Sequence, residues 1–178
     1  NEAGAGYEFE DKITGGKIPK IYINSVSSGI QEAMKTGVLA GYPLEDLNVK
    51  LVDGSTHDVD SNEMAFKIAG SMAFKSAMIA GSPSLLEPIM KIDIVTPEEF
   101  LGDCLGDLNS RRAQILSMDQ QANSQAVKAY VPLGETFQYA TTLRSLTTGR
   151  ASFSMELDHY AKVPNHIATE ISGKGKES

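Results

Sequence analysis

The sequence predicts an α+β protein built as two consecutive small domains, and three observations carry that prediction. Apolar residues alternate between period two and helical spacing along the chain. A Gly81-Ser82-Pro83 break, followed by Leu85-Leu86-Glu87-Pro88, interrupts the pattern. After it the order is strand, helix, strand, strand, helix, strand, which is the split βαβ of a ferredoxin-like sandwich. The expected division is residues 1–88 and residues 89–178.

In the first domain, Tyr7 to Ile13 alternates apolar and charged residues, as a half-buried strand does, and Thr14-Gly15-Gly16 breaks it. Pro19 opens a helix whose apolar positions are Tyr22, Val26, Ile30, Ala33 and Met34, with Gly37 as its C-cap. Leu47, Val49 and Leu51 mark a second strand, turned by Asp53-Gly54-Ser55. Ser61 or Asn62 caps a second helix, whose core face is expected to hold Met64, Ala65, Ile68, Ala69, Met72, Ala73 and Ala77. Two helices and two strands do not make a well-covered sheet. The expectation is that the N-terminal part of this domain is missing from the chain.

In the second domain, Ile89 to Val95 reads as a strand. Thr96-Pro97-Glu98-Glu99 then reads as a helix start, with Thr96 as N-cap, Pro97 at N1 and Glu99 closing a capping box. Phe100, Leu101, Cys104, Leu105 and Leu108 share one face of that helix. Strands follow at Ile115–Met118 and Ala126–Val131, then a helix through Phe137, Ala140, Thr141 and Leu143. Ala151, Phe153, Met155 and Leu157 form the last strand. A short helix is expected after Pro164, with Lys174 to Ser178 frayed.

Composition narrows the function. The net charge of −7 argues against a protein that grips nucleic acid through bulk positive charge. Residues 1–88 carry seven lysines, no arginine and twelve acids; residues 89–178 carry five lysines, four arginines and eleven acids. Any RNA contact in the second half is therefore local, through Arg111, Arg112, Arg144 and Arg150. The longest apolar runs are far short of a membrane span. A single cysteine, Cys104, excludes an internal disulfide, and with no visible signal peptide the simplest expectation is a cytoplasmic protein. No membrane partner is expected.

Few residues invite chemistry. His57, Asp58 and Asp60 put three potential ligands in one loop, but zinc and calcium normally take more ligands in a defined geometry, so no metal is expected. The loop otherwise reads as a polar turn between strand and helix. Cys104 sits among apolar residues and reads as a small buried hydrophobe. Arg111-Arg112 ends a helix, where it either offsets the helix dipole and faces solvent or forms a phosphate clamp or interdomain ion pair. His159 and His166 read as surface residues. No G-x-x-x-x-G-K-[ST] occurs, so no nucleotide site, cofactor or catalytic residue is expected in this chain.

Several blocks carry a resemblance. Leu85–Lys91 (LLEPIMK) and Gly106–Arg112 (GDLNSRR) resemble bacterial translation elongation factor G at the join of its fourth and fifth domains. So do Gly54–Ser61 (GSTHDVDS), Met64–Lys67 (MAFK), Tyr139–Ser145 (YATTLRS) and Gly149–Phe153 (GRASF), in family order and over nearly the whole chain.

The resemblance implies that residues 1–88 are most of domain IV, with the α/β fold of the second domain of a small-subunit ribosomal protein, and that residues 89–178 are domain V. It implies a ribosome-binding part of a GTP-dependent translocase, with GTP and Mg bound elsewhere in the intact protein. The loop Ser55, Thr56, His57 and Asp58 would be the tip entering the decoding centre beside tRNA and mRNA. The second domain would face the GTPase domain and the ribosomal RNA of the GTPase-associated centre. Within the family, a paralogue devoted to ribosome recycling or ribosomal protection is an alternative. Outside it stands a free regulatory module, which fold alone does not support.

Overall fold

The computed structural model describes residues 1–174. The expected fraying of the last residues lies, from Gly175 on, outside the described residues. The chain forms two compact units. One holds residues 1–85 and the C-terminal segment beginning at Asn165; the other holds Leu86–Pro164.

In the first unit, strand β1 (Glu8–Asp11), helix α1 (Lys20–Thr36), strand β2 (Asn48–Leu51) and helix α2 (Glu63–Ala80) follow in order. The two strands pair in parallel, Glu8 opposite Asn48 through Asp11 opposite Leu51. A parallel pair needs a crossover, and α1 supplies it. Helix α1 buries Ile23, Val26, Ile30, Ala33 and Met34 at helical spacing. It stops at Gly37, whose φ of 61° suits glycine and whose N–H reaches the Ala33 carbonyl at 2.9 Å. Of the two candidate caps for α2, Asn62 is the one used: its Oδ1 accepts from the Ala65 N–H at 2.7 Å.

The packed face of α2 differs from the sequence expectation. Met64, Ile68 and Met72 are 63%, 53% and 64% exposed, whereas Gly70 and Phe74 are buried and Phe66 and Met78 pack beside them. The reason is backbone proximity. A Cβ on Gly29 would overlap the Lys67 carbonyl oxygen, and one on Gly70 would come within 2.8 Å of the Val26 carbonyl oxygen. The helices touch through two glycines, so the contact strip runs Phe66, Gly70, Phe74, Met78. A helix apolar nearly all round gives periodicity no single face to choose.

The second unit opens with strand β3 (Leu86–Pro97) and a 3-10 turn (Glu98–Phe100). Helix α3 (Leu101–Ser110) and strands β4 (Gln114–Gln121) and β5 (Ser124–Pro132) follow. A second 3-10 turn (Leu133–Glu135), helix α4 (Tyr139–Leu146) and strand β6 (Ser152–Lys162) complete it. The sheet order is β4-β5-β3-β6 with every pair antiparallel. That is the expected βαββαβ arrangement. Ile92, Ile94, Val127, Ala129 and Val131 pack against Cys104 and Leu108 of α3 and Tyr139 and Leu143 of α4. Helix α5 (Asn165–Lys174) follows Pro164 as expected and groups with the first unit.

Three local expectations change. Strand β3 begins at Leu86, so Pro88 lies inside the strand and not at its edge. Thr96 caps nothing: it is fully buried at the end of β3, its hydroxyl 3.3 Å from the Pro97 carbonyl, and α3 starts only after the 3-10 turn. Phe137 stands outside α4, because Gln138 takes a left-handed conformation (φ 57°) that no helix continues through.

Candidate functional site

Because β1 and β2 are parallel, both strand-to-helix connections leave from the same end of the sheet. Residues 12–19 and residues 52–62 therefore lie together there. Lys17 Nζ reaches Asp53 Oδ1 at 2.9 Å, and the Thr56 hydroxyl lies 3.4 Å from the Lys17 carbonyl. The Gly54 N–H donates to Asp53 Oδ1 at 2.9 Å. These contacts hold the Asp53 carboxyl below its ordinary value, Lys17 being the larger cause.

The loop from Ser55 to Asp58 is exposed throughout. Its shape is fixed by one bond from within, the His57 N–H donating to Ser61 Oγ at 2.8 Å. Tyr22 stacks on Phe66 with ring centroids 4.7 Å apart, and its hydroxyl donates to the Ser61 carbonyl at 3.2 Å. The loop is thus tied to α1 and to the start of α2, and the Thr56 hydroxyl is turned to the Lys17 carbonyl, while the side chains of Ser55, His57 and Asp58 are exposed. Among the described residues no three His, Cys, Asp or Glu are placed to hold one ion.

The four arginines separate into different roles. Arg111, at the end of α3, spends its guanidinium inside the second unit. Its Nε donates to Asp107 at 2.8 Å, its Nη1 to the carbonyls of Glu135 (2.7 Å) and Phe137 (3.1 Å), and its Nη2 to the Thr142 hydroxyl (3.2 Å). The same group lies over the Tyr139 ring, 5.1 Å from its centroid. Arg112 grips both carboxylate oxygens of Glu87 at 2.9 and 2.8 Å and also meets Glu135 at 3.0 Å. Glu87 pushes its pKa further up. The pair is therefore an intradomain clamp joining β3, α3 and the β5–α4 connection. Sequence spacing alone left its partners open. Arg150 pairs with Glu99 and lies over Phe100 at 5.5 Å. Arg144 is exposed on α4 and makes no ion pair among the described residues.

Cys104 is buried, and burial pushes its thiol pKa up, which suits a packed side chain and not a nucleophile. Tyr139 is shifted upward for the same reason. An open groove in the first unit is lined by Val26, Ile30, Val49, Ala69, Ala73 and Phe74. Its walls are mostly apolar, with Asn48, Lys50 and Asp53 also in its lining. Leu133 and Phe137 are exposed apolar residues, the second of which the sequence pattern placed in a helix. The signal that could have found them is Gly134 and Thr136 just before Phe137, which argue for a turn.

Comparison with known proteins gives a consistent result. The family described as "Elongation factor G, domain IV" matches residues 1–82, and "Elongation factor G C-terminus" matches residues 84–171. A crystal structure of a protein from Thermus thermophilus is 43% identical, with a TM-score of 0.81. The match covers 98% of this chain and 26% of that one, so this chain spans about a quarter of its relative's length.

Proposed function

Since the chain belongs to the elongation factor G family, we propose that it is the ribosome-binding C-terminal part of a GTP-dependent translocase, working in the cytoplasm on tRNA and mRNA. The observation that carries this reading is the exposed loop Ser55–Asp58, held by its backbone at one end of a unit matched as domain IV. Its mechanism is steric. The loop enters the decoding centre, fills space vacated by the anticodon arm of the A-site tRNA, and blocks its return. The His57 ring and the Ser55 hydroxyl supply hydrogen bonds to RNA, which a short loop makes without bulk positive charge.

The second unit carries changes from the GTPase domain toward that loop and meets the RNA of the GTPase-associated centre. Arg144 is the cation best placed to touch a phosphate there. Arg111 and Arg112 act by holding the unit's shape, since their donors are already engaged. GTP and Mg bind in the GTPase domain, and the residues of this chain perform no chemical step. No helix among the described residues is long and apolar enough to cross a membrane.

The test is co-sedimentation of the 178-residue chain with 70S ribosomes, with chemical footprinting of the small-subunit RNA. The expected outcome is binding, with protection of decoding-centre nucleotides that His57→Ala weakens. No binding, or a footprint confined to other regions and indifferent to His57, would overturn the reading.

A further inference from the structure

The outer flank of α2 carries two methionines that the core does not use. The close crossing at Gly29 and Gly70 turns Phe66 and Phe74 toward α1, and so leaves Met64, Ile68 and Met72 on the other side of the helix. These three recur every fourth residue and share one face. Met64 and Met72 are 63% and 64% exposed, whereas Met34 is 8% exposed inside the same unit and Met78 packs beside it. In the second unit Met90 packs on the core, and Met118 and Met155 stand exposed on separate strands. Only on α2 do two methionines line one recess, an open one between α1 and α2 shared with Lys67, Ser71 and Lys75. Lys67 Nζ is paired with Glu32 at 2.6 Å, while Lys75 is exposed and makes no ion pair among the described residues.

We propose that Met64 and Met72 form an oxidation site on the first unit, with hydrogen peroxide as the oxidant and methionine sulfoxide as the product. The site stands apart from the ribosome-binding reading and does not rest on it. The reaction needs a thioether lone pair that peroxide can reach, and exposure decides which methionines offer one. The sulfur attacks one peroxide oxygen, the S–O bond forms and the O–O bond breaks. The proton on the transferred oxygen passes to the departing hydroxide, which leaves as water. Sulfur loses a pair of electrons and the peroxide gains it. The product adds a strong hydrogen-bond acceptor to each side chain. Two features let the fold keep it. Neither side chain gives up a core contact, and the recess already holds donors in the Ser71 hydroxyl and the Lys75 ammonium. Oxidation therefore turns an apolar flank of α2 polar and leaves the packing of Phe66 and Phe74 untouched. Methionine sulfoxide reductase reverses it.

Timed exposure of the 178-residue chain to hydrogen peroxide, read peptide by peptide by mass spectrometry, tests this. Met64 and Met72 should each take up one oxygen at least about tenfold faster than Met34 and Met78. The oxidised chain should keep its melting temperature and its hydrogen-exchange protection in α1 and α2. Methionine sulfoxide reductase should then return both residues to the thioether in the folded chain. Met64→Leu together with Met72→Leu should melt as the unchanged chain does and lose the fast oxygen uptake from the first unit. Oxidation of Met34 or Met78 at the rate of the α2 pair would overturn the proposal. So would lost protection in α1 and α2 after oxidation, which would make the two sulfurs part of the packing, and so would sulfoxides that the reductase cannot reach.

Discussion

The two units solve the problem of covering a sheet to different degrees. The second has four strands of 8 to 12 residues, with nine buried residues in one cluster under two helices. The first has two strands of four residues, with five buried residues packed mainly between its helices. Its groove is open beside β2, and the exposed flank of α2 keeps Met64, Ile68 and Met72 in water. Ion pairing differs as well. The second unit uses Arg112 in a bidentate, partly buried clamp, whereas the first relies on exposed lysine–carboxylate pairs such as Lys17–Asp53. The expectation that follows is a more stable second unit and a less stable first unit, in line with the low local stability of many functional segments.

The largest effects should come from the two kinds of core. Leu108 is fully buried, so Leu108→Ala should cost about 4 kcal/mol and lower hydrogen-exchange protection across β3, β5 and α4. Gly29→Ala adds a methyl group where the Lys67 carbonyl already sits, and should cost about 3 kcal/mol, felt only in the first unit. If Gly29→Ala leaves protection of α1 and α2 intact, the close helix crossing is wrong.

Next in size is the clamp. Arg112→Met leaves the partly buried Glu87 without its partner and should cost about 2 kcal/mol in the second unit, read by urea unfolding. Asn62→Ala removes a cap bond and should cost about 1 kcal/mol in the first unit. The contrast between the units sharpens if each loss stays within its own unit.

Acid should produce a smaller, one-sided effect. Lys12 and Asn48, with help from Lys50, hold Glu10 down at about 2 against an ordinary 4.5. The backbone N–H groups of Gly4 and Gly6 lower Asp46, and Lys17 lowers Asp53. These carboxyls are depressed in the folded state, so their stabilisation is present above the ordinary carboxylate range and is lost as pH falls from 4.5 toward 2. All three are on the surface, so salt should blunt the effect. Hydrogen exchange in β1 and β2 at falling pH checks it. Unchanged protection there down to about pH 2 would remove these groups from the account.

The sequence made the second unit easy to read because its strands alternate and its helices each have one apolar stripe. Phe100 to Leu108 and the β3 to β6 pattern left one arrangement. It made α2 hard to read for the opposite reason: Met64, Ile68, Met72 and the alanines offer an apolar stripe wherever one looks. The true contact was set by Gly29 and Gly70, residues without a side chain to signal it. Thr96 misled because a cap sequence and a buried strand end share the same residues. In the candidate site, the exposure of Ser55–Asp58 was legible from polarity and the Asp53-Gly54 turn. The spending of Arg111 and Arg112 inside the unit was not, since their partners lie 23 to 31 residues away in sequence, apart from Asp107.

On the function proposed above, the His57 side chain works on the ribosome and carries no weight in the fold. Single-round translocation by a full-length elongation factor G carrying His57→Ala tests it most directly, with the melting curve of the same change in this chain as its control. The expected result is slowed tRNA movement with GTP hydrolysis unchanged and a stability change of no more than about 0.5 kcal/mol. Translocation at the normal rate, alongside a large fall in melting temperature, would contradict it and make His57 a structural residue.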